Sequence, residues 1–229
     1  MLRPIAHIRT DYKTKFGIPR QSGLVPGTRG TIIFEPLFRN PECVRGLEEF
    51  THIWLLWQCG DSLKDERHWA STVAPPRLGG KEKKGIFATR SPFRPNGIAL
   101  SCVKLLSVDC SEEQGPILTV EGADLLDNTA IYDIKPYLSY ADSFPEASLG
   151  WAGRVLEYGL SVEIPEQWRK LLPEDVAGTV TELIAQDPRP NTVEAVEKEY
   201  RMYYKDYDIW FHVEGDRAIV HRVVVMPDK

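Results

Sequence analysis

No stretch of this 229-residue chain approaches the ~20 consecutive apolar residues that a membrane-crossing helix needs, so nothing in it reads as a membrane span. Met1-Leu2-Arg3-Pro4-Ile5 lacks an apolar h-region, so no secretory signal is read and a cytoplasmic location is expected. Cysteine is scarce: Cys43, Cys59, Cys102 and Cys110 are the whole set, none in a CxxC pair, and reduced thiols are expected. The five histidines show no metal-ligand spacing such as HExxH, so no metal site is expected. No GxGxxG follows a strand pattern, which disfavours a Rossmann fold. Gly79-Gly80-Lys81 lacks the GxxxxGK[ST] spacing and is followed by Glu82, so it is not a phosphate loop. Positive charge is not in excess either. The net charge of -5 argues mildly against nonspecific nucleic-acid binding, although an acidic protein can carry a local basic patch.

What the chain does have is one unusual bend, Phe87-Ala88-Thr89-Arg90-Ser91-Pro92-Phe93-Arg94-Pro95-Asn96-Gly97-Ile98-Ala99-Leu100-Ser101. Pro92 and Pro95 fix their own φ and push Ser91 and Arg94 out of the α region. Arg90 to Gly97 therefore reads as a stiff loop between apolar runs, presenting two guanidiniums suited to an anion or a planar ligand. An ordinary proline turn with solvated arginines would look the same.

Short strand patterns surround the bend, at Pro4–Arg9, Thr31–Phe34, Phe50–Trp57, Ile98–Val108, Pro116–Glu121 and Ile131–Tyr137. About seven or eight such strands between Pro4 and Tyr137 read as a barrel or sandwich. Asn40-Pro41-Glu42 predicts a helix start, the helix continuing through Val44, Leu47 and Glu48. After Trp151 the pattern changes. A strand over Glu157–Ile164 precedes helices over Pro165–Leu172 and Glu174–Ala185, the second burying Val176, Val180, Leu183 and Ile184. Ile209–Val213 and Ala218–Val225 read as a hairpin around Glu214-Gly215-Asp216. The expected fold is mostly β, with an N-terminal barrel or sandwich over residues 1–152 and a small C-terminal α+β domain over 153–229.

The bend closely resembles the ATRSPFRPNPIGLS stretch of the TrmO family (TsaA-like, YaeB-type), with Gly97 and Ala99 where the family usually has Pro and Gly. Further segments resemble the same family. They are Pro19-Arg20-Gln21-Ser22-Gly23-Leu24-Val25 (PRQxGLV), Pro75-Pro76-Arg77-Leu78-Gly79-Gly80 (RPPRLGG), Asp124-Leu125-Leu126-Asp127-Asn128-Thr129-Ala130 (DLxDGTP), Asp133-Ile134-Lys135-Pro136-Tyr137 and Asp187-Pro188-Arg189-Pro190. Asn128 stands where the family has Gly, and Asn tolerates φ > 0 better than most residues. An aromatic-His pair of many members is replaced by Cys59-Gly60-Asp61.

The resemblance implies a non-Rossmann, β-barrel methyltransferase. It would move a methyl group from S-adenosylmethionine to N6 of N6-threonylcarbamoyladenosine at position 37, in the anticodon loop of tRNA, and would act as a homodimer. It assigns cofactor binding to Pro19, Arg20, Gln21, Arg90, Leu100, Asp124, Leu125, Leu126 and Asp127, with Gly60 and Asp61 as backbone contacts at most. Arg94 and Asn96 would orient the modified base or its carboxylate. A base is needed for the N6 proton, and Asp187 and Tyr203 are the candidates. Arg77, Lys81, Lys83, Lys84 and Arg189 would meet RNA backbone, and Tyr200, Tyr203, Tyr204 and Tyr207 either stack on bases or pack a core. Two other readings stay open: a non-catalytic S-adenosylmethionine sensor, and a methyltransferase acting on another RNA position or a small molecule.

Overall fold

The computed structural model describes residues 2–59, 69–111, 113–190 and 198–226. The first half forms six strands: β1 Ala6–Thr10, β2 Arg29–Phe34, β3 His52–Gln58, β6 Ile98–Asp109, β7 Ile117–Glu121 and β8 Thr129–Pro136. They close into a barrel in the order β1-β2-β7-β6-β3-β8. The neighbouring pairs are antiparallel, with Ile8 opposite Ile32, Leu55 opposite Ser101 and Ala6 opposite Ile131. Alternation along each strand decides the lumen. Ile8, Ile32, Ile53, Leu55, Leu118, Val120 and Ile131 point inward and are almost fully excluded from water. Gly30 lets β1 approach closely, because a Cβ there would sit 2.8 Å from Ile8 Cδ1.

Two further short strands, β4 Thr72–Val73 and β5 Lys84–Gly85, pair with each other beside the barrel. Among the described residues eight strands precede Tyr137, and six of them close the barrel. The helix expected from Asn40 is two 3₁₀ turns, Pro41–Val44 and Leu47–Glu49. Asn40 does cap the first, accepting from Glu42 N at 3.0 Å. Gly46, at φ 83°, then breaks the run. Helix α1 is a single turn, Ser139–Asp142, pinned when Asp142 Oδ2 accepts Trp54 Nε1 and Leu138 N, each at 2.9 Å.

The second half holds β9 Ser161–Glu163, α2 Glu166–Arg169, α3 Glu174–Ala185, β10 Tyr200–Tyr204, β11 Tyr207–Glu214 and β12 Arg217–Val225. The sheet order is β10-β11-β12-β9, with β9 parallel to β12. Helix α3 spans the expected residues and buries the expected stripe. The strand expected over Glu157–Ile164 shortens to β9, and β10 was not expected. Tyr200 and Tyr204 face the core while Tyr203 faces outward.

The second core is not built from the C-terminal residues alone. Tyr12 and Val25 belong to it, and Phe16 and Ile18 pack against it. Gly17, at φ 94°, lies where a Cβ would fall 2.5 Å from Met202 Cγ. The segment between β1 and β2 therefore leaves the barrel and plugs the α+β core. A division of the sequence near residue 152 is not a division between cores.

Candidate active site

Strand direction gathers the resembling segments. The loops β1–β2, β7–β8 and the one entering β6 all open at the same end of the antiparallel barrel. The bend before β6 begins with the 3₁₀ turn Ile86–Ala88, anchored by the buried Ile86. Arg94 folds back over this turn. Its Nη1 donates to Thr89 O at 2.7 Å and to Ile86 O at 3.3 Å, and its guanidinium lies 5.8 Å from the Phe87 ring centre. Gly97 O accepts Cys59 N at 2.8 Å, tying the bend to β3. Proline geometry and these bonds together hold the loop. Arg94 is thus the brace of its own bend, while Asn96 is exposed.

Arg90 is exposed and reaches outward to donate to Gln21 Oε1. Gln21 donates in turn to Arg20 O. Behind them lies a buried relay. Trp57 Nε1 donates to Ser101 Oγ at 2.9 Å, and Ser101 Oγ donates to Asp124 Oδ1 at 2.6 Å. Burial pushes the Asp124 carboxyl above its ordinary value; Ser101, the backbone, Arg90 and Ser22 pull it back without cancelling the effect. Gln21 and Arg90 are thus hydrogen-bonded, and Gly23 N donates to Gly122 O at 2.9 Å, which brings the Asp124 turn beside the same loop. Ser101 and Trp57 belong to the same cluster and went unassigned in the sequence, although Ser101 ends the resembling bend.

The rest of the 124–128 turn is structural. Leu125 is wholly buried in the barrel core, and its carbonyl accepts Thr10 Oγ1 at 3.0 Å. Leu126 O accepts Thr129 Oγ1 at 2.7 Å. Asp127 accepts Thr10 N at 3.0 Å and pairs with Lys13 at 3.0 Å and Arg9 at 3.3 Å. Burial raises the Asp127 carboxyl, but the Lys13 and Thr10 donors outweigh it and leave the group below its ordinary value. Asn128 adopts φ 64°, as the glycine it stands for would. Leu125 and Asp127 thus hold the turn rather than line a pocket with their side chains. Pro19 is buried, and Leu100 is half exposed on the outer barrel wall. Gly60 and Asp61 lie outside the described residues.

The expected base and the expected RNA contacts sort differently. Asp187 is fully buried at φ 50° and Arg189 is 6% exposed. Arg189 Nε and Nη2 donate to Asp187 Oδ1 and Oδ2 at 2.7 and 2.8 Å, and Tyr158 OH donates to Oδ2 at 2.5 Å. Burial raises the Asp187 carboxyl, but Arg189 and Tyr158 together bring it below its ordinary value. A sealed, doubly bonded carboxylate is a poor proton acceptor, so Asp187 is not placed to act as the base. Arg189, locked onto it, is not placed to meet RNA.

Tyr203 stacks on Arg201 at 4.6 Å on the outer face of the C-terminal sheet, where Arg201 is held by Asp208 at 2.6 Å, and no hydrogen bond to its hydroxyl is formed among the described residues. Lys84 pairs with Glu82 at 2.5 Å, and Arg154 reaches the same carboxylate at 3.0 Å. Lys81 and Lys83 are exposed. Arg77 is half-buried, its Nη2 donating to Gln186 O at 3.2 Å and Oε1 at 3.1 Å.

The family model described as tRNA-methyltransferase O N-terminal domain matches residues 7–143, and the TrmO C-terminal domain model matches 159–226. A tRNA (adenine(37)-N6)-methyltransferase of Escherichia coli (strain K12) is 38% identical over 218 residues, covering 91% of each chain. A Pyrococcus abyssi (strain GE5 / Orsay) protein named as a probable S-adenosyl-L-methionine-binding protein is 34% identical over 149 residues, 65% of this chain and 74% of that one. A crystal structure of TrmO from P. aeruginosa superposes with a TM-score of 0.76 at 36% identity, covering 98% of this chain and 96% of the other.

Proposed function

Because the chain belongs to the tRNA-methyltransferase O family, we propose that it is the enzyme its relatives are named for. It methylates N6 of the adenine at tRNA position 37, using S-adenosylmethionine. The observation that carries the reading is the hydrogen bond from Arg90 to Gln21 at one end of the barrel, where the bond from Gly23 N to Gly122 O at 2.9 Å brings the Asp124 turn alongside.

The residues present fit the cofactor. Asp124 is a carboxylate held above its ordinary value because burial outweighs its donors. A ligand ammonium beside it would relieve that imbalance, and the Arg90 guanidinium suits a ligand carboxylate. When bound, S-adenosylmethionine supplies an electrophilic methyl group. The protein's part is placement, since a well-oriented pair of reactants reacts faster by orders of magnitude. Arg94 serves by stiffening the bend that carries Arg90 and Asn96. The substrate on this reading is N6-threonylcarbamoyladenosine in the tRNA anticodon loop, and Lys81 and Lys83 approach the RNA backbone. No helix among the described residues is long and apolar enough to cross a membrane, and the reading places the enzyme in the cytoplasm with its tRNA.

We further propose a homodimer. Leu100 is 50% exposed on the outward face of β6, opposite Leu56 on β3, and Phe87 and Phe93 are 78% and 58% exposed on the adjoining bend. Tyr140, Phe144, Leu149 and Leu156 continue this apolar exposure along the chain that leaves the barrel. Apolar surface of this extent marks an interaction site, and a second copy covering it would close the cofactor end. Light scattering of the purified protein reads the mass directly: a dimer that becomes monomeric in Leu100→Glu supports this assembly, and a monomeric wild type removes it.

Mass spectrometry of tRNA nucleosides from a deletion strain tests the activity. Loss of the methylated threonylcarbamoyl nucleoside is expected, with its return on complementation. An unchanged nucleoside profile would overturn the reading.

A further inference from the structure

Three guanidiniums converge on one carboxylate where the barrel loops meet the C-terminal domain. Arg189 takes both oxygens of Asp187, and Tyr158 shares one of them. Among the described residues, the other two guanidiniums donate to neutral acceptors. Arg20 Nη2 donates to Asp187 O at 2.6 Å and Arg189 O at 3.1 Å. Arg77 Nη2 donates to the Gln186 carbonyl and side-chain amide. Arg77 also lies over the Tyr158 ring, 5.8 Å from its centre. Among the described residues, neither Arg20 nor Arg77 has a carboxylate hydrogen-bonded to it, and the Nε of each is buried without a partner.

A half-buried pair of like charges is costly unless an anion balances it. Burial, then the neighbouring Arg77 charge, pushes the Arg20 guanidinium down from its ordinary value, and burial does the same to Arg77; the Asp187 charge opposes both shifts without cancelling them. Both stay protonated, since a guanidinium does not lose its proton near neutral pH. The backbone acceptors hold each fork by one edge, and the Nη1 atoms make no hydrogen bond among the described residues. Such a pair is preorganised for a planar or tetrahedral oxyanion, which guanidinium forks bind by charge-assisted bonds. Its place in the chain matters too. Arg20 adjoins Gln21, the acceptor of Arg90, so the pair borders the proposed cofactor pocket.

We propose that Arg20 and Arg77 form a clamp for an oxyanion of the RNA substrate, built from both halves of the protein. This rests on the tRNA reading above. Two sources share the chemistry: a backbone phosphate near the modified base, and the threonyl carboxylate on that base. Arg189 and Asp187 are the positioning pair, because their carbonyls and the 187 turn set the angle of the Arg20 fork.

Binding experiments on the full chain separate the outcomes. Wild type, Arg77→Gln and Arg77→Lys are titrated with S-adenosylmethionine and with anticodon stem-loop RNA, with and without the threonylcarbamoyl group. Arg77→Gln is expected to bind RNA about tenfold more weakly and the cofactor within about twofold of wild type. Loss confined to the modified RNA identifies the carboxylate. Equal loss on both RNAs, with the slope of log K against log salt shallower by about 0.9, identifies a phosphate. Unchanged RNA affinity, or weakening of the cofactor alone, overturns the clamp. If thermal melting shows that Arg77→Gln is unfolded, Arg77→Lys decides: it keeps the charge but loses the fork, and RNA affinity equal to wild type overturns the proposal. A protein that needs Arg77 to bind RNA yet transfers no methyl group would keep the clamp and lose the methyltransferase reading.

Discussion

Arg189 and Asp187, two residues apart in one short turn, close a buried ion pair through bonds of 2.7 and 2.8 Å. The pair joins the end of α3 to the barrel loops, because the same turn offers its carbonyls to Arg20 and the preceding Gln186 holds Arg77. A motif that looked like an RNA contact is a structural clasp.

Removing one partner of that clasp should be severe. Arg189→Ala leaves the Asp187 charge buried and uncompensated, and a loss of about 3–5 kcal/mol is expected by urea unfolding. The pH dependence has a definite sign. Asp187 is depressed below its ordinary value of 3.8. Its contribution is present above that value and is lost as pH falls through the lower folded pKa. The gap between wild type and variant should therefore narrow in acid. A loss under about 1 kcal/mol at neutral pH would show that the pair does not hold the turn.

Asp124 predicts the opposite sign. Its carboxyl is raised above 3.8, so the ionised form costs the fold stability at neutral pH, and that cost vanishes as pH falls through the folded pKa. Asp124→Asn can still accept from Ser101. It should melt at or above wild type at pH 7, with the difference gone near pH 3, while calorimetry shows S-adenosylmethionine bound at least about tenfold more weakly. A variant that binds the cofactor normally would remove Asp124 from the pocket.

Arg94→Ala should sharply slow methylation and leave the barrel folded. The lost bonds to Thr89 and Ile86 carbonyls are local to the bend. Loosening the bend is expected to lower kcat about a hundredfold, since small misplacements of reacting groups have effects of that size. Arg94→Lys can reach one carbonyl and should recover part of it. Normal turnover by the alanine variant would mean that the brace is dispensable.

Asn128 sits at φ 64°. Asn128→Gly should be neutral or slightly stabilising, and Asn128→Val should cost about 1 kcal/mol or more, because a β-branched side chain resists positive φ. Thermal melts of the two variants check the ordering. Equal melting temperatures would show that the turn relaxes out of the left-handed region.

Part of the architecture was legible because it depends on local pattern. Alternation in Pro4–Arg9, Thr31–Phe34 and Pro116–Glu121 marked barrel strands to within a residue or two. The apolar stripe Val176, Val180, Leu183 and Ile184 marked α3. Strand β10 escaped because its tyrosines alternate between core and surface, a pattern that also fits a stacking surface. The Asn40 helix was overread, since the Pro and Asn signals set how a helix starts, while Gly46 decided that it would not continue.

By itself the sequence determined the stiff bend, the strand-rich first half and the positive-φ turn at Asn128, because proline, alternation and the Asn side chain act within a few residues. The tertiary structure alone decided what each charged side chain does. Arg20, Arg77, Arg90 and Arg189 are the same residue type, yet one donates to a glutamine side chain, one is sealed in an ion pair and two donate to neutral acceptors at a seam. A guanidinium takes its role from the carboxylates and carbonyls that the fold brings within hydrogen-bond reach, and for Arg20 and Arg77 those lie more than a hundred residues away in the chain.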